Sequence, residues 1–268
     1  MRQDDGGRTA AYPDLVERVA IVTGAGRGLG LAMAKGLAAA GCRVVGTATR
    51  TPEELERLAA SAPDRVTTMR ADVTNPEDCH RVVESTLSRF GRLDALVNNA
   101  GRGMRTLSER FLVEPPKFWQ ADVNAWRTLV DTNVNGPFLM ARAAVVPMLA
   151  ARWGRIINVS INHETMRRPG FSPYGPSKAA LESTTVIWAQ DLAGTGVTVN
   201  VLLPGGATRT GMIPADTPEA LLAAFLDPAI VVPPLLYLLS ARSDGVTGRR
   251  FVATLWPATE AAGWPVPP

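Results

Sequence analysis

Twelve residues near the start of the chain, Val19 to Gly30, leave few folds open: they read Val-Ala-Ile-Val-Thr-Gly-Ala-Gly-Arg-Gly-Leu-Gly. A β-branched run enters a glycine cluster, and the Ala/Leu-rich segment Leu31 to Ala40 follows at once, which predicts strand, tight turn and helix. The G-x-x-x-G-x-G spacing of Gly24, Gly28 and Gly30 suits a sharp turn, bare backbone against a pyrophosphate and close helix-on-strand packing. The phosphates would lie on the helix N-terminus, where unpaired N–H groups and the positive dipole end face them.

Strand and helix then alternate. Strands are expected at Arg43–Thr47, Val66–Arg70, Leu93–Val97, Arg155–Ser160, Val197–Leu203 and Phe251–Thr254. Helices are expected at Pro52–Ala60, with Thr51 as N-cap and Pro52 in its first turn, and at Pro76–Phe90, capped by Asn75. A long helical pattern at Trp126–Ala151 is expected to break at Pro137, and further helices fall at Pro173–Leu192 and Ala229–Leu239. This order predicts an α/β fold, doubly wound, with about seven parallel strands and helices on both faces. Ligands of such sheets bind beyond the carboxyl ends of the strands.

The 268 residues are 46% hydrophobic and 20% charged, with a net charge of +3, an ordinary globular composition that suits one domain. Basic residues form no run with interleaved aromatics, so no nucleic-acid partner is expected. No stretch approaches eighteen uninterrupted apolar residues, so no membrane span is expected. Cys42 and Cys79 fall inside the βα layers without metal-like spacing, which implies reduced thiols, a cytoplasmic protein and no metal site. Residues 1–17 are expected to be a flexible leader, 18–256 the catalytic domain and 257–268 a Pro-rich tail.

Six motifs arrive in a fixed order: Thr23-Gly-Ala-Gly-Arg-Gly-Leu-Gly30, Asp72, Asn98-Asn-Ala-Gly101, Asn133, Tyr174-x-x-x-Lys178 and Pro204-Gly205. With them, Val19 to Val252 resembles the classical short-chain dehydrogenase/reductase family. The resemblance implies a single-domain Rossmann fold and hydride transfer between a nicotinamide cofactor and a carbonyl or alcohol substrate. It makes Tyr174 the general acid/base, Lys178 its neighbour one helical turn on, and Asn133, with Asn135 as competitor, the asparagine of a proton relay. A free phenol titrates near pH 10, and one ammonium about 4 Å away supplies roughly the 4 kcal/mol needed to bring it to neutrality. Lys178 is therefore expected to draw the phenol of Tyr174 down.

The implied cofactor contacts are Gly24, Arg27, Gly28, Leu29, Gly30, Thr49, Arg50, Asp72, Val73, Asn99, Ala100, Gly101, Tyr174, Lys178, Pro204, Gly205 and Thr208, with Thr210 as an alternative to Thr208. NAD-preferring members carry an acid near the end of the second strand; here that place holds Ala48. Arg27 and Arg50, with the Thr49 hydroxyl, suit a 2′-phosphate, so NADP(H) is favoured over NAD(H).

One position departs from the family pattern. Its catalytic serine, thirteen residues before the tyrosine, is replaced by Ile161. Ser160, Asn162 or nothing takes its place; His163, Glu164 and Thr165 follow directly, with His163 expected to pack or solvate the loop. Residues 102–124 and 206–228 are expected to cover the nicotinamide, with Met104, Phe111, Phe118, Trp119, Met212 and Ile213 shaping an apolar pocket and Arg102, Arg105, Arg167 and Arg168 bordering it. The reading is an NADP(H)-dependent alcohol dehydrogenase or ketoreductase for a medium to bulky apolar small-molecule substrate, assembled as a homodimer or homotetramer. The alternatives are a catalytically impaired nucleotide-binding member, motivated by Ile161, and a non-redox lyase or isomerase.

Overall fold

The β-branched runs and the amphipathic segments between them close into three layers. The computed structural model describes residues 12–50, 53–214 and 217–257. Along the chain it places β1 (Val19–Val22), α1 (Gly28–Ala39), β2 (Arg43–Ala48), α2 (Glu53–Ser61), β3 (Val66–Arg70), α3 (Pro76–Phe90) and β4 (Ala95–Asn98). There follow α4 (Val123–Val130), α5 (Gly136–Ala151), β5 (Gly154–Val159), α6 (His163–Met166), α7 (Tyr174–Asp191), β6 (Val197–Leu203), α8 (Glu219–Leu222), α9 (Val232–Leu239) and β7 (Arg250–Val252). The seven strands form one parallel sheet in the order β3-β2-β1-β4-β5-β6-β7, the doubly wound Rossmann arrangement expected.

Period-2 alternation divides the core. Ala20 and Val22 join Met33, Leu37, Leu235 and Phe251 on the α1/α9 face, while Ile21 points the other way into a cluster with Val82, Met140, Met148 and Ile156. Strand order reverses between β1 and β4, so the crevice opens at their carboxyl ends. Asn75 caps α3 as expected, accepting from the amides of Glu77 and Asp78. Thr51 and Pro52, the expected cap and first turn of α2, lie outside the described residues, as do 1–11 and 258–268.

Two expectations change. The helix does not break at Pro137: α4 passes through one π-helical turn, Asp131–Asn135, into α5, with Pro137 in the first turn of α5. The wide turn just before the proline absorbs its missing N–H and bulges Asn133 inward. By length and composition the resulting run, Val123–Ala151, would reach across a membrane, but its Met140, Ala144 and Met148 are buried against the sheet. Residues 12–17, expected to end a leader, are packed: Leu15 is fully buried, and the Asp14 carboxylate accepts from the Ala241 amide at 2.7 Å. Both cysteines are buried free thiols; burial pushes Cys42 up to about 12 and Cys79 to about 11.

Candidate active site

The glycine turn is fastened to the end of β4. Thr23 Oγ1 donates to the Val97 carbonyl at 3.2 Å and accepts from the amides of Asn99 and Ala100, both at 3.0 Å. The Asn99 amide donates to the carbonyls of Thr23 and Gly24, and Asn98 donates to Asn158 on β5 and to the Pro137 carbonyl. Gly24 has φ +64°, and a Cβ on Gly30 would stand 2.2 Å from the Gly24 carbonyl oxygen. The helix and the turn thus meet backbone to backbone, and Arg27, the N-cap of α1, leaves the helix's first amides without a capping side chain.

At the end of β2, Ala48 pairs in register with Arg70 of β3. Arg70 donates through Nε to the Thr49 carbonyl at 3.1 Å, beside the exposed Arg50. Arg70 enters as a third guanidinium that the sequence reading missed; its signal is the strand register, which places it across from residue 48. Arg27 lies along Gly211, whose Cβ would meet its guanidinium at 2.7 Å. Asp72 Oδ1 accepts from the Thr74 amide and hydroxyl, and Val73 is buried beside Gly136. Thr208 lines the central cavity and donates to the Gly206 carbonyl; its alternative, Thr210, packs against Gly28.

Tyr174 opens α7, and Lys178, one turn on, shares its face. The Lys178 ammonium donates to the Val159 carbonyl at 2.8 Å. Burial pushes its amine down to about 8, with the Glu182 carboxylate acting in the opposite sense. The Tyr174 phenol is pushed up to about 12 by burial. This corrects the expectation of a lowered phenol: burial sets the direction of the shift, and the Lys178 amine is aimed at the Val159 carbonyl and is itself desolvated. The fully buried Asn133 accepts from the Arg102 amide at 2.8 Å and donates to the Arg102 carbonyl and to Ser177 Oγ. A Cβ on Gly101 would come within 3.2 Å of Asn133 Oδ1 and 3.7 Å of Lys178 Nζ, so these groups converge. Asn135 turns outward to Asp131.

Past β5 three successive residues, Ser160, Ile161 and Asn162, border the cavity. The hydroxyl of Ser160 donates to Glu182 Oε1 at 2.6 Å, Ile161 lines the cavity, and Asn162 lines it too while donating to the Gly205 carbonyl at 3.0 Å. His163 opens α6 with Nε2 3.5 Å from Glu182 Oε2.

The cavity is walled by Met104, Phe111, Phe171, Met212, Ile213 and Phe225. Phe111 meets Phe171 edge-on at 5.8 Å. The covering segments touch: Gly103 faces Met212, and Arg105 donates to the Gly211 carbonyl at 2.8 Å. Phe118 and Trp119 do not line it; they pack edge-on against each other, about 70% exposed. Of the bordering arginines, Arg105 pairs with Glu109, Arg102 donates to the Thr132 hydroxyl, Arg167 donates to the His163 carbonyl, and Arg168 lines the cavity over Phe171.

A parallel sheet with this crevice, a glycine cradle at its switch point and a tyrosine–lysine helix face define an oxidoreductase class, and comparison with known proteins agrees. Residues 18–220 match the short chain dehydrogenase family model, and the chain belongs to the short-chain dehydrogenase/reductase family. Members bind NAD(P)(H). The chain is 33% identical over 243 residues to a 3-oxoacyl-[acyl-carrier-protein] reductase of Vibrio cholerae, covering 88% of this chain and 95% of that one. A reductase of the same name from Synechocystis is 35% identical over 195 residues, 71% of this chain and 74% of the other. A 3-alpha-(or 20-beta)-hydroxysteroid dehydrogenase of Mycobacterium tuberculosis is 32% identical over 241 residues, 89% and 88% of the two chains.

Proposed function

We propose that the protein is an NADP(H)-dependent reductase of ketones or aldehydes, working also in the alcohol-oxidising direction, on a medium to bulky apolar substrate. The observation that carries this is the convergence of Tyr174 and Lys178 on a cavity walled by Met104, Phe111, Phe171 and Met212, next to the glycine cradle. A dinucleotide fits that turn: the bare backbone at Gly24 and Gly30 lets the turn pack directly on α1 and on Ala100, and the first amides of α1 carry no capping side chain. Gly24, Arg27, Gly28, Leu29 and Gly30 would hold its pyrophosphate side, Asp72 and Val73 the adenine, Asn99, Ala100 and Gly101 the nicotinamide ribose, and Pro204, Gly205 and Thr208 or Thr210 the nicotinamide. When bound, the cofactor supplies or accepts the hydride.

Tyr174 gives its phenolic proton to the carbonyl oxygen as the hydride arrives. Its high-lying titration in the buried site keeps that proton in place at neutral pH. Lys178 stabilises the phenolate left behind, and Asn133 holds the Gly101–Arg102 backbone beside it. Ile161 offers the substrate no hydroxyl, so the second hydrogen bond to the carbonyl oxygen falls to Asn162, whose amide keeps one N–H beyond its bond to Gly205. The absence of an acid at residue 48, with Arg50 and Arg70 at that corner, supports a 2′-phosphate, whereas Arg27 lies along Gly211 instead. The apolar walls also suit the compounds the relatives are named for, 3-oxoacyl chains on an acyl carrier protein and hydroxysteroids, and either class belongs in a first panel.

The test follows reduced-nicotinamide absorbance with NADPH and NADH against straight-chain, cyclic and steroidal ketones. Turnover with NADPH preferred by at least about tenfold, the size of one charge-assisted contact, is the expected result. No loss of absorbance with any of them contradicts the reading.

A further inference from the structure

Glu182 is a carboxylate on the buried face of α7, two turns beyond Tyr174 and one beyond Lys178. A carboxylate 1% exposed needs compensation. It accepts from Ser160 Oγ at 2.6 Å and from Arg250 Nε at 3.1 and 3.2 Å, with His163 Nε2 at 3.5 Å. Arg250, from β7, also donates through Nη2 to the Ile161 carbonyl at 2.9 Å. The turn that enters the cavity at Ser160–Asn162 is therefore gripped at residue 160 by its hydroxyl and at 161 by its carbonyl, and both grips end on one ion pair.

We propose that Glu182 is a positioning residue of this site: with Arg250 it locks the strand end at Ser160–Asn162, and it supplies the counter-charge that keeps Lys178 an ammonium. This deepens the reductase reading, in which Lys178 is a working amine. It also explains the departure at position 161. The Ser160 hydroxyl is engaged in the clamp by its bond to Glu182, and Ile161, at the family's serine position, lines the cavity beside Asn162. The groups around Lys178 Nζ are the Val159 carbonyl on β5, Asn133 on the π-helical turn, the Gly101 backbone, and Tyr174 and Glu182 on its own helix. Those around Glu182 include, among the described residues, Arg250 on β7, His163 on α6 and Ser160 at the end of β5.

The sequence makes a direct test practical, because it has three lysines, Lys35, Lys117 and Lys178. Lysine labelled with 15N and 13C in the full chain, without cofactor, gives three side-chain titrations, and Lys178→Met assigns the buried one. Glu182→Gln, which keeps shape and hydrogen bonding but drops the charge, should lower the Lys178 midpoint by about one pH unit, as expected for a partly neutralised charge one turn away. Arg250→Met, which unmasks the carboxylate, should raise it, so a fold failure in one variant leaves the other to decide. The alkaline limb of kcat should move with the midpoint in each. A Lys178 midpoint equal to wild type in either folded variant overturns the proposal. Absence of ketone turnover by the wild type would count against the reductase reading alone, since the lysine titration needs no substrate.

Discussion

The two rims of the sheet solve the burial of charge in opposite ways. At the amino rim Asp94 accepts from the Val19 amide at 2.8 Å, from Arg18 at 2.8 Å, and from Arg92 at 2.7 and 2.6 Å. Burial alone would raise its carboxyl; these donors together outweigh that and hold it below the usual range. Nearby, Arg18 and Arg155 both stack on Trp153, at 3.7 and 4.1 Å. At the carboxyl rim burial wins: Tyr174 is driven up and Lys178 down. One rim uses its charges for stability, and the other gives up stability to hold the two groups proposed to serve proton transfer.

The largest way to break this contrast is at the phenol. Tyr174→Phe should lower kcat by about 10³-fold or more while leaving NADPH affinity and melting temperature near wild type, since a positioned proton donor contributes about 10²–10⁴-fold. Steady-state kinetics beside a cofactor titration checks this. Next, Asn162→Ala removes the proposed second donor to the carbonyl oxygen and should lower kcat on a small ketone about 10²-fold, as one oxyanion-type donor is worth about 10²–10³. An unchanged kcat would mean that Asn162 does not fill the role.

Smaller in rate but sharper for the comparison is a pair of stability measurements. Lys178→Met should raise unfolding free energy at pH 7 by about 1–3 kcal/mol, since an amine shifted from 10.5 to about 8 is destabilising by roughly 3 kcal/mol where both states would otherwise be protonated. The sign follows: between pH 8 and 10.5 the unfolded chain holds the proton that the folded one has released, so wild-type stability rises with pH there and the mutant's advantage shrinks. Asp94→Asn should do the reverse, losing about 3 kcal/mol at pH 7 through a broken buried ion pair. Its folded pKa is depressed, so the wild-type benefit is present above the ordinary carboxylate range and disappears as pH falls through the lowered value. Urea titrations at pH 7 and 9 read both.

Local features were legible in the sequence. The glycine turn and the Tyr174–Lys178 face depend on spacings of a few residues, and the parallel, doubly wound class of the sheet followed from the alternation of strands and helices. The Ser160–Glu182–Arg250 clamp depends on contacts 22 and 68 residues apart, with Arg250 reaching the Ile161 carbonyl across 89. An acid on the inward face of α7 was its one visible sign. Phe118 and Trp119 were misplaced because hydrophobicity marks a tendency to be covered without saying where the chain turns. The tyrosine pKa was misjudged because Coulomb attraction can be written from sequence, whereas desolvation depends on the folded surroundings.

The central claim is that the cleft between the glycine turn and Tyr174 holds a phosphorylated nicotinamide dinucleotide. Calorimetric titration of the wild-type chain with NADPH and NADH tests it most directly: NADPH should bind at least about tenfold more tightly, with the difference lost in Arg50→Ala. Equal or tighter binding of NADH, or no binding of either, would contradict the account.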